Sequence, residues 1–71
     1  MKTGFIDINK MFIIEGELLL DKSRNWHKVT WDREMGYILL GLDTGMIVLL
    51  TQELSGQMVI ISETEPIAFD N

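Results

Sequence analysis

The chain contains no cysteine, which removes disulfides and thiolate metal sites together. Its one histidine, His27, does not make a zinc site alone, so neither a metal nor another cofactor is expected. There is one proline, Pro66, and one alanine, Ala68, so the residue with the strongest helix preference is almost missing. Long apolar runs are missing too. Stretches such as Tyr37 to Leu40 and Met46 to Leu50 fall far below the roughly 18 residues that a membrane-spanning helix requires. At the N-terminus, Asp7, Asn9 and Lys10 interrupt the chain before any continuous apolar region of a secretory signal, and a cytoplasmic protein with no membrane association is expected.

Basic residues are absent from the whole second half. All six (Lys2, Lys10, Lys22, Arg24, Lys28 and Arg33) lie in the first 33 positions, against eleven acids along the chain. Residues 34 to 71 are therefore unsuited to nucleic acid phosphates, and their acids keep apolar strands soluble or steer basic partners.

What is abundant is apolar strand-forming residues: 46% of the 71 residues are hydrophobic. A single domain this small buries only about 60% of the surface its unfolded form exposes, so its core needs a supplement. With disulfides and metals removed, a partner subunit is the supplement left.

The spacing of apolar runs between glycines predicts a mainly β fold, a small antiparallel meander or SH3-like barrel of about five strands. Strands are expected at Trp26 to Asp32, Tyr37 to Leu42, Met46 to Gln52 and Gln57 to Glu63, with a short one at Ile67 to Phe69. Turns fall at Arg33 to Gly36, Asp43 to Gly45 and Leu54 to Gly56. Residues 5 to 20 are open between strand and short helix, since Ile8, Met11, Phe12, Leu18 and Leu19 approximate a helical stripe. Gly16 in the middle costs a helix about 1 kcal/mol and favours two short strands or one bulged strand.

Strands half exposed to water carry a polar residue at every second position. Three of these do not. Tyr37/Leu39 and Ile38/Leu40, Ile47/Leu49 and Val48/Leu50, and Val59/Ile61 and Met58/Ile60 are apolar on both faces. One face packs inside, and the other, taken as Tyr37, Leu39, Ile47, Leu49, Val59 and Ile61, is expected to meet a second copy of the chain.

The only concentration of chemically distinctive residues is Asp21 to Trp31, which holds three bases, the histidine and both tryptophans. Arg24, Trp26, His27 and Lys28 form the candidate partner-binding patch, with Trp31 read as core and Trp26 as exposed. Binding of a protein through this patch is expected. Its aromatic and basic character also suits a nucleotide or single-stranded nucleic acid through Arg24, Trp26 and Lys28.

Leu42-Asp43-Thr44-Gly45 resembles the catalytic tripeptide of retroviral and pepsin-like aspartic proteases, a likeness of four residues. Met46 stands where those families carry a small residue, and the later apolar-apolar-Gly element is lacking. The sequence reads as a hairpin turn in which the aspartate caps and the glycine takes the left-handed position. Carboxylates two apart at Glu15/Glu17, Asp32/Glu34 and Glu63/Glu65 lack a calcium-loop pattern and read as solvated faces. No serine stands in a nucleophile context and His27 has no orienting partner visible in the sequence, so no catalytic residue is assigned and no enzyme is expected. In size and style the chain is similar to phage accessory proteins that block a host enzyme or defence system. The expectation is a self-associating interaction protein that binds or inhibits a larger protein.

Overall fold

A computed structural model describes residues 1–61. Seven strands are present: β1 (Lys2–Ile6), β2 (Phe12–Ile14), β3 (Leu18–Leu20), β4 (Trp26–Asp32), β5 (Gly36–Gly41), β6 (Ile47–Leu49) and β7 (Val59–Ile61). One helical turn, α1 (Gln52–Ser55), separates the last two. The fold is mainly β and its sheet is not closed into a barrel. The predicted strand at Ile67 to Phe69 lies outside the described residues.

Residues 5 to 20 hold the end of β1 and the strands β2 and β3 and no helix, and Gly16 marks the turn between β2 and β3 with a φ of +95°, a backbone shape that a β-carbon disfavours. Two aspartates build the neighbouring hairpins to one plan. Asp7 Oδ1 accepts the amides of Asn9 and Met11, each at 2.9 Å, and Lys10 takes a φ of +64°. Asp21 Oδ1 accepts those of Ser23 and Asn25, at 2.8 and 2.9 Å, and Arg24 takes a φ of +69°. Asp32 caps the β4–β5 turn, its Oδ2 accepting from Glu34 and Met35 at 3.0 and 2.8 Å. A carboxylate that gathers loop amides in this way substitutes for a backbone turn bond.

The main sheet is antiparallel with the order β6-β5-β4-β3-β7, and β1 and β2 form a second, two-stranded sheet. The meander therefore runs from β3 to β6. The expected next step, β7 beside β6, does not occur: β7 lies at the far edge, paired with β3.

The cause is α1, which redirects the chain where a tight turn had been expected. Thr51 caps it by accepting the Leu54 amide at 3.1 Å. The Gln52 side chain meets both the N–H and the C=O of Ile6, at 3.0 and 2.9 Å, and the fully buried Ser55 donates to the same carbonyl at 2.9 Å. Tied to the end of β1, the chain leaves the β6 edge and emerges beside β3.

The core takes Ile13 from β2, Leu19 from β3, Val29 from β4 and Leu39 from β5, closed by Leu50 and Met58 on either side of α1. Phe5, Tyr37 and Ile60 pack against it. Val29 pairs with Leu39 and Leu19 with Ile60, so these residues share the sheet face covered by the β1–β2 hairpin. Each such side chain contributes about 1.5–3 kcal/mol when fully buried.

Candidate interaction surfaces

Among the described residues, seven hydrophobic side chains are buried, whereas thirteen large apolar ones are exposed. This imbalance is the main chemical fact about the surface. The longest run of it is β6 with its flank: Met46, Ile47, Val48 and Leu49 are 64%, 53%, 37% and 49% exposed. β6 is an edge strand, so even Val48, whose pairing with Leu39 puts it on the core face, stays accessible.

Cross-strand pairing fixes which residues share a face. Ile38 pairs with Leu49, Leu40 with Ile47, Leu20 with Val59 and Leu18 with Ile61. Of the predicted self-interface, Ile47, Leu49, Val59 and Ile61 share the face turned away from the core, but the first two stand at one edge of the sheet and the last two at the other. Tyr37 and Leu39 do not: Leu39 is fully buried in the core and Tyr37 packs beside it. The Leu42–Met46 turn sets a register in which odd positions of β5 meet even positions of β6. Two doubly apolar strands give no sequence sign of that phase. Ile38 and Leu40 take the vacated places, separated from Leu18 and Leu20 on the same face by the Trp26, Lys28 and Thr30 row of β4.

The basic-aromatic patch is also divided. Trp26 and Lys28 lie on the outward face of β4, whereas His27 is on the core side, opposite Gly41 and Leu19. Arg24 and Trp26 line a shallow depression with Leu20 and Ile61, so the outward aromatic sits at one end of the apolar face. The two tryptophans exchange the roles expected of them. Trp31 is 52% exposed and Trp26 half-buried. Trp31 does share the core side with Val29, but it lies beyond the core, where its ring meets Tyr37 edge-on at 4.7 Å.

His27 has an orienting partner after all. Its Nε2 lies 2.9 Å from Asp21 Oδ2. This hydrogen bond, followed by the amide of Asn25, holds the Asp21 carboxyl below its ordinary range, against a smaller opposing effect of desolvation. With Asp21 ionised, Nε2 is the donor. Nδ1 is buried without a hydrogen-bond partner among the described residues, so no hydroxyl or thiol stands ready for activation by the pair. The pair fastens loop 21–25 to β4. A signal for the loop, though not for the His27 bond, exists in the sequence: Asp7-Ile8-Asn9-Lys10 and Asp21-Lys22-Ser23-Arg24, fourteen positions apart, share an aspartate first, a small polar residue third and a base fourth.

The Asp43-Thr44-Gly45 segment is a turn, with Gly45 at a φ of +77°. Thr44 rather than Asp43 supplies its side-chain bond, accepting the Met46 amide at 3.1 Å. Among the described residues no group of three or more His, Cys, Asp or Glu is placed to hold a metal ion, and no helix is long and apolar enough to cross a membrane. No protein-family model, curated protein or solved structure matches this chain.

Proposed function

We propose that this chain is a non-enzymatic interaction protein that assembles with itself and presents its remaining surface to a larger protein partner, in the manner of a small inhibitor. The observation that carries the reading is the exposed apolar run Met46 to Leu49 at a sheet edge. Exposed apolar patches of this kind mark surfaces that meet protein, and a chain with a small core gains stability from a subunit that covers them. Light scattering across a concentration series tests self-association. A mass above the monomer at tens of micromolar is expected, and a strictly monomeric species there contradicts it. Affinity capture with wild type and Trp26→Ala tests the partner, which is expected to bind the first and be lost from the second.

A second reading rests on the depression shared by Arg24 and Trp26, with Lys28 on the same face. A base stacked on Trp26 with its phosphate near Arg24 makes the site one for a nucleotide or a single strand. Tryptophan fluorescence then falls on adding oligonucleotides, with an affinity that weakens as salt rises. Unchanged fluorescence removes the reading.

A further inference from the structure

We propose that β6 is a dimerisation strand: two copies of the chain pair β6 antiparallel with β6 about a two-fold axis beside Val48, joining two five-stranded sheets into one. This deepens the self-association reading and rests on it.

The backbone bonds of β6 define the geometry. Met46 gives its carbonyl to the Gly41 amide at 2.8 Å, and Leu50 gives its amide to the Tyr37 carbonyl at 3.0 Å. Val48, midway between them, is paired with Leu39. Backbone polar groups alternate along an antiparallel strand, so the N–H and C=O of Ile47 and Leu49 point away from β5, to the open side. An antiparallel mate centred on Val48 sets Ile47 against Leu49 of the second copy and Leu49 against its Ile47. Four backbone hydrogen bonds result, and the two Val48 residues face each other as a close, non-hydrogen-bonded pair.

The two edges of the main sheet are treated differently. On β7, Asp7 Oδ2 accepts the Ile60 amide at 3.1 Å and the Ile8 amide reaches the Met58 carbonyl at 2.9 Å, so that edge is covered. β6 has no such cover among the described residues. It also lacks the usual guards, for Met46 to Gln52 carries no charge and no proline, with Asp43 and Glu53 bounding the stretch.

A second copy is the occupant these features fit. The strand is self-complementary about Val48, as an isologous two-fold contact requires. Its lack of charge gives it no means of selecting a charged partner, and apolar contact surface is characteristic of homodimers. The four exposed side chains make an interface smaller than the roughly 1,600 Å² of a standard complex, so a dimer that dissociates in the micromolar range is expected.

The chain's freedom from cysteine permits a direct test on the whole 71-residue chain. Val48→Cys places two thiols across the axis, and mild oxidation is expected to give a covalent dimer on a non-reducing gel. Ile47→Cys faces Leu49 of the mate and is expected to remain monomeric. Leu49→Pro deletes an amide that only the mate uses, and is expected to weaken dimerisation about tenfold or more while circular dichroism shows the sheet retained. Equal cross-linking of both cysteine variants overturns the pairing. If wild type dimerises while Val48→Cys does not cross-link, the strand pairing is wrong and self-association through another surface stands. If wild type is monomeric and Val48→Cys is inert, both fall.

Discussion

Asp21 is a small residue with three tasks: its carboxylate accepts two loop amides and the His27 ring. In the unfolded chain such a carboxyl titrates near 3.8, and in the fold the His27 hydrogen bond holds it lower. A depressed carboxyl adds stability above its unfolded value, and that stability is lost as pH falls through the folded value. Asp21→Asn is therefore expected to be less stable than wild type at neutral pH, by about 1 kcal/mol since the site is partly open to water, and to show a flatter loss of stability below about pH 4. Urea midpoints across that range measure it. Ser55 makes a comparable case in a dry setting. It is fully buried and donates to the Ile6 carbonyl, so Ser55→Ala is expected to cost about 1 kcal/mol by the same measurement, because it removes one of the two side-chain donors to that carbonyl and leaves the Gln52 amide as the other.

At the scale of elements, the strands were largely legible and their neighbours were not. β4 falls on the predicted Trp26 to Asp32, because alternation and turn residues are local signals. The placement of β7 was hidden because it depends on Thr51 capping α1 and on Gln52 and Ser55 making bonds to Ile6, far away in the chain. The face assignment of Leu39 was hidden for another reason: β5 is apolar on both sides, so period two carries no phase. The basic-aromatic cluster was visible as a cluster, but its division between two faces and the Asp21 partner of His27 needed the register and the loop. The Asp7 loop yields a prediction of its own. Asp7→Ala removes the acceptor of the Ile60 amide, so hydrogen exchange is expected to quicken at Ile60 while the Val29 amide, in the sheet centre, stays protected. Leu19→Ala, by contrast, empties the core and is expected to cost about 2–5 kcal/mol, read from denaturant unfolding.

For the whole molecule, the surplus of exposed over buried apolar residues sets the kind of association to expect. An assembly held by Ile47, Val48 and Leu49 contains no ion pair at its centre, so raising sodium chloride is expected to leave the dimer fraction unchanged or increase it. Sedimentation at low and high salt measures this. A loss of dimer with salt points to the charged residues instead, and so to the basic loops of the first half of the chain.

The unequal edges of the main sheet bear on how far such association goes. In polymer terms, a unit with two reactive ends grows into a chain, whereas a unit with one reactive end stops at its first coupling. Asp7 and Ile8 occupy one end of this sheet. If β6 pairs with β6 as proposed, edge-to-edge growth of the sheet is expected to have a chain length of two, with a loop carboxylate at one side of the molecule limiting what the apolar strand at the other can build.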